Sequence, residues 1–96
     1  MKQYLISWSP QAEESYLNTL SQIMAKWTIK EAEDFEAEVE SLLEKLKTQK
    51  HLCPLSSIQS SLRRCVIAPQ TSLVYQIKYD VIELVAFFDN RSDHQY

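Results

Sequence analysis

The chain has 96 residues, 45% of them hydrophobic and 24% charged, which is the balance of a globular domain; no run approaches the roughly 18 apolar residues that cross a bilayer. Its formal net charge of −3 is the wrong sign for a protein that binds mainly by neutralising phosphates, although the acidic residues between Glu31 and Glu44 dominate that total and leave room for a local basic patch. This length predicts one domain, residues 1–96, and the N-terminus meets Ser7, Ser9 and Pro10 too early to form a signal peptide's apolar core, so a cytoplasmic protein is expected.

Gln3 to Trp8 alternates, with Tyr4, Ile6 and Trp8 on one face, and predicts a strand buried mainly on one side. Ser9 offers an N-cap oxygen and Pro10 suits the first helical position, where its missing N–H costs nothing. From there to about Trp27 the residues Ala12, Tyr16, Leu17, Leu20, Ile23, Met24 and Trp27 recur at helical steps and predict one apolar stripe. Thr28 with Glu31 makes a capping box that starts a second helix almost at once. That helix places Ala32, Phe35, Val39, Leu42, Leu43 and Leu46 on a core face and its carboxylates on the other, over too few heptads for a coiled coil.

His51 to Ser61, with Pro54 and several serines, reads as a loop. Leu62 to Ile67, Leu73 to Tyr79 and Val81 to Phe88 read as three strands, turning at Pro69 to Thr71 and around Asp80, for which an antiparallel meander is the economical pairing. The expected class is α+β in the order β-α-α-β-β-β, with a helical hairpin on one face of a small antiparallel or mixed four-stranded sheet and the other face partly open. Trp8, Leu20, Phe35, Val39, Leu42, Tyr75 and Val85 are expected in the core. Tyr75 and Tyr79 share a strand face with Leu73 and Ile77, so packing explains them better than base stacking.

The chain contains no glycine, which excludes glycine-rich phosphate loops and dinucleotide fingerprints; no cofactor is predicted. Cys53 and Cys65 are too few for a disulfide framework and lack zinc-site spacing, so they read as reduced thiols, and no metal site is predicted.

The opening strand with Trp8, Ser9, Pro10 and Ala12, the helical hairpin with Trp27 and Phe35, the Leu62–Arg63 pair, the Tyr75 strand, and Asp89 to Arg91 together resemble the RelE/ParE toxin superfamily over nearly the whole chain. The resemblance implies the toxin of a type II toxin–antitoxin (plasmid stabilisation) system, with a cognate antitoxin as partner; the sequence leaves the oligomeric state, a homodimer included, open. Its RelE branch cleaves messenger RNA in the ribosomal A site without a metal, and its ParE branch inhibits DNA gyrase; a catalytically silent protein-binding domain is the remaining alternative. For the RNase chemistry, which needs a base, an acid and a cation on the phosphate, the resemblance points to Arg91 after the last strand and Tyr96 in the tail as catalytic residues, and His94 joins them from the general suitability of histidine as an acid or base near neutral pH. It points to Arg63, Arg64 and Lys78 on the preceding strands as binding residues. Ser72 stands where RelE toxins place a further arginine, so the set is incomplete. Arg63 and Arg64 are adjacent in a strand and must face opposite sides of the sheet.

Overall fold

A computed structural model describes residues 2–91, with the elements β1 (Leu5–Trp8), α1 (Pro10–Lys26), α2 (Ile29–Leu46), β2 (Arg63–Ala68), β3 (Thr71–Lys78) and β4 (Val81–Asp89). The strands form one sheet in the order β1-β4-β3-β2. β2, β3 and β4 are the antiparallel meander expected, while β1 joins the far edge parallel to β4, so the sheet is mixed. The helical hairpin covers one face, with α1 over β4 and α2 over β2.

Both helix starts are set as the sequence indicates. Ser9 Oγ accepts from the Ala12 amide at 3.0 Å ahead of Pro10, and Thr28 Oγ1 accepts from the Glu31 amide at 3.2 Å. Under the helices lie Phe35, Val39, Leu46, Leu73, Tyr75, Ile82, Leu84 and Phe87, all buried. Of the expected core residues, Phe35, Val39 and Tyr75 are fully buried, whereas Trp8, Leu20 and Leu42 pack on the core half-buried. Trp8 stacks on Phe87 with ring centroids 5.7 Å apart and meets Tyr16 edge-on at 5.3 Å. The apolar stripe of α1 is narrower than its spacing suggested. Ala12, Tyr16, Leu20 and Ile23 face the sheet, but Leu17 and Met24 project about a quarter-turn away and are exposed, as is Trp27 at the C-cap.

β4 carries a bulge. Val74 pairs with Ala86 and Tyr75 with Leu84, which leaves Val85 as the extra residue; Val85 is half-buried on the open side instead of lying in the core, as alternation from Ile82 and Leu84 requires, and the bulge brings Ala86 to that same side. Hydroxyls at the start of α1 take up the polar groups around it: Ser9 Oγ donates to the Val85 carbonyl at 3.0 Å, and Ser15 Oγ accepts from the Phe87 amide at 2.9 Å.

Tyr79 does not share the buried face of Tyr75. It forms the β3–β4 turn with Asp80, is 97% exposed, and has φ 56°, the left-handed region that glycine would normally fill; in a glycine-free chain a tyrosine carries that strain, of about 1 kcal/mol.

The expectation of two reduced thiols is overturned. Cys53 and Cys65 are joined in a disulfide, their Cα atoms 5.3 Å apart. The cause is tertiary: the loop before β2 folds back on that strand through the Leu55–Arg63 bridge, the Arg64 amide bonds to the Pro54 carbonyl at 2.9 Å, and the Ser56 amide to the Leu62 carbonyl at 2.8 Å. Buried Tyr75 reinforces the loop by donating its hydroxyl to the Lys50 carbonyl at 2.8 Å and accepting from the Cys53 amide at 3.4 Å; burial raises its pKa. No helix among the described residues is long and apolar enough to cross a membrane.

Two stability measurements follow from these contacts. Ser15→Ala leaves the Phe87 amide without its acceptor and is expected to lower unfolding stability by about 1–3 kcal/mol in urea titrations, against a change within about 0.5 kcal/mol for exposed Ser21→Ala. Reducing the disulfide, which joins residues 12 apart in sequence, is expected to cost about 3 kcal/mol through the loop entropy restored to the unfolded chain, read as a lower denaturation midpoint with dithiothreitol than without.

Candidate functional site

The uncovered face of the sheet is built from alternate residues of the three long strands. Leu62, Val74 and Ala86 make a small buried apolar cluster there, flanked by Val85 and Phe88. Arg64, one residue before the disulfide-bonded Cys65, lies at its edge, with its guanidinium 5.2 Å from the centroid of the Phe88 ring. Nε donates to Ser72 Oγ at 3.4 Å and Nη2 donates to Asn90 Oδ1 at 2.9 Å, while the Ser72 hydroxyl donates to the same Asn90 oxygen at 2.5 Å. Asn90 is itself fixed, its amide donating to the Gln70 carbonyl at 2.7 Å and its side-chain nitrogen to the Pro69 carbonyl at 3.3 Å. The result is a rigid cationic corner where β2, β3 and the end of β4 converge.

The other predicted residues are not gathered around that corner. Arg63 faces the opposite side of the sheet and donates to the Cys53 carbonyl at 2.7 Å, where it braces the bridged loop. Lys78 is exposed at the other end of β3, roughly 13 Å along the strand from Val74, the residue paired with Arg64. Arg91 lies on the helix side of the strand end, in a small cleft with Thr19, Gln22 and Lys26 of α1, and is held by Asp89: Nε donates to Oδ1 at 3.1 Å and Nη2 to Oδ2 at 2.9 Å. His94 and Tyr96 lie outside the described residues. Asn90 is the participant that sequence reasoning missed; Arg91, next to it, drew the attention. Among the described residues no group of three His, Cys, Asp or Glu side chains is placed to hold a metal ion.

The Arg91 guanidinium and its backbone amide hold the Asp89 carboxyl down at about 2, from an ordinary value of 3.8, and Asp89 raises the pKa of Arg91 in return. On the sheet's open face Gln76 hydrogen-bonds Glu83, which adds an acidic group to the surface the basic corner borders. The face as a whole is mixed in charge.

No family model matches the sequence, and no curated protein matches it either. The fold, however, has close counterparts among solved structures. A chain of the chromosomal ParDE TA system from P. aeruginosa superposes with a TM-score of 0.75 over 91% of this chain and 96% of that one, at 10% identity. The YoeB dimer from Staphylococcus aureus matches with a TM-score of 0.64, 17% identity and coverage of 94% and 99%. The toxin–antitoxin complex RelBE2 from Mycobacterium tuberculosis matches with a TM-score of 0.64, 14% identity and coverage of 96% and 97%. The chain therefore has the RelE/ParE toxin fold: two helices on one face of a four-stranded mixed sheet.

Because the folded pKa of Asp89 lies below its unfolded value, the pair stabilises the fold above about pH 4 and that contribution disappears as pH falls toward 2. Arg91→Ala is expected to return the Asp89 pKa to near its ordinary value in a carboxyl NMR titration, with little change in stability at pH 7 because the pair is exposed.

Proposed function

We propose that this chain is the toxin of a type II toxin–antitoxin pair, that a cognate antitoxin neutralises it, and that it acts by holding a protein target and not by cutting messenger RNA. The observation that supports the toxin reading is the match, nearly end to end on both sides, with chains of several toxin–antitoxin systems. The choice of mechanism follows from the cations. An RNase of the RelE kind must present a free cation to the scissile phosphate, beside a base and an acid.

Arg64 is committed to Asn90 and Ser72, and Arg91 to Asp89 on the other side of the sheet. Ser72, where the RelE pattern has an arginine, is buried and spends its hydroxyl on Asn90. The corner is thus built as structure around the end of β4. A surface of this kind suits a protein target better than a phosphodiester, and DNA gyrase, the target in the ParE branch, is the first to examine.

Induction of the chain alone is expected to arrest growth, and co-expression of the adjacent reading frame to restore it with the two proteins co-eluting. Mapping of ribosome-bound mRNA during the arrest should show no A-site cuts, while a supercoiling assay with purified gyrase shows inhibition. A-site cuts abolished by Arg64→Ala or Arg91→Ala would overturn the mechanism and leave the toxin reading standing. Harmless expression together with separate elution would overturn the toxin reading itself.

A further inference from the structure

A groove of about 350 Å³, separate from the open sheet face, runs between the helical hairpin and the β2–β3 turn. Ile23 and Phe35 line it from the helices and Pro69 from the turn, and Trp27 stands at the junction of α1 and α2 with 65% of its surface exposed. A tryptophan left in water at the lip of an apolar groove is the residue type that dominates protein–protein contacts once covered. Trp27 also fails to serve the fold, since it belongs by spacing to the α1 stripe yet remains outside the core.

The opposite lip is acidic. Glu31, Asp34 and Glu38 of α2 line the same groove and stand at intervals of three and four residues, one stripe spanning about 10 Å of helix. Among the described residues Glu31 and Glu38 have no cationic partner, and Asp34 has only Lys30, 3.7 Å away with both side chains exposed. Lys26, the other nearby cation, lines the neighbouring cleft with Asp89 and lowers the pKa of that carboxyl. Anionic lipid and nucleic acid are repelled by such a stripe. A second copy of this chain would meet it with an equally acidic α2.

We infer that the groove receives a cationic amphipathic helix of a partner protein, with an apolar side chain against Trp27 and Phe35 and Lys or Arg residues one and two turns apart along the Glu31–Asp34–Glu38 stripe. The groove's chemistry stands independently of the toxin reading, because it depends on neither Arg64 nor Arg91.

The test uses the intact chain and two synthetic peptides of about 14 residues, with identical leucine positions on one helical face and either lysine or glutamate at the flanking polar positions. Trp27 fluorescence reports occupancy, since Trp8, the chain's other tryptophan, is packed against Tyr16 and Phe87. The lysine peptide is expected to give a saturable blue shift. Its affinity should fall about tenfold or more between roughly 0.05 and 0.5 M salt, and by a similar factor in Glu31→Gln with Glu38→Gln, whose folding is checked by circular dichroism. The glutamate peptide should not bind. Equal binding of the two peptides, binding of neither, or binding of the lysine peptide that ignores both salt and the double substitution would overturn the inference.

Discussion

Two serine hydroxyls at the start of α1 hold the bulge in β4, and the layout of the molecule depends on them. An antiparallel pair that takes in one extra residue must leave ladder groups unpaired, and buried polar groups without partners are costly. Here Ser9 takes the Val85 carbonyl and Ser15 the Phe87 amide, so the same contacts that satisfy the bulge fasten α1 across β4. The Ser9 amide also bonds to the Leu84 carbonyl, at 3.1 Å, which continues the parallel pairing of β1 into the first residue of the cap. Helix, edge strand and central strand meet at one point.

The bulge also decides which residues meet on the open face. Ile82 and Leu84 face the helices, so uninterrupted alternation would send Phe88 and Asn90 inward and turn Asp89 and Arg91 to the open side. One extra residue reverses this. Phe87 enters the core beside Trp8 and Tyr16, Phe88 and Asn90 reach Arg64, and the Asp89–Arg91 pair sits near the end of α1. A strand-end arginine that the RelE pattern would aim at RNA is thereby directed away from the only face where Arg64 is found. The electrostatics agree with the geometry, because each arginine of the strand region has a named local acceptor.

How much of this the sequence disclosed can be judged residue by residue. The helix starts were legible because capping is a local event: Ser9, ahead of Pro10, accepts from the Ala12 amide and Thr28 from the Glu31 amide, each three residues along the chain. The three later strands and the opposite facing of Arg63 and Arg64 were legible from alternation alone. What escaped depends on contacts between distant segments. The parallel placement of β1 beside β4 joins residues some 76 positions apart, and the bulge leaves no local signature, since Val85 is as apolar as its neighbours. Asn90 escaped for the same reason, because its facing can be read only once the bulge is known. The cysteines were misjudged because their spacing fits no framework, while their proximity comes from a loop that turns back on β2.

That loop gives the chain two possible lifetimes. With Cys53 and Cys65 joined, residues 54–64 form a closed ring pressed against the sheet, and local opening exposes only a small arc of it to a protease. In a thiol-rich compartment, where such bonds are kept reduced, the ring is open and the segment is held by Tyr75, Arg63 and a few backbone hydrogen bonds. Exposed Leu55 and Ile58 then belong to the stretch of chain that loosens first, in the manner of surface loops that proteases nick. The redox state of the surroundings would set how long the folded chain persists, and a concentration governed by turnover would follow from chemistry at two sulfur atoms buried in the core.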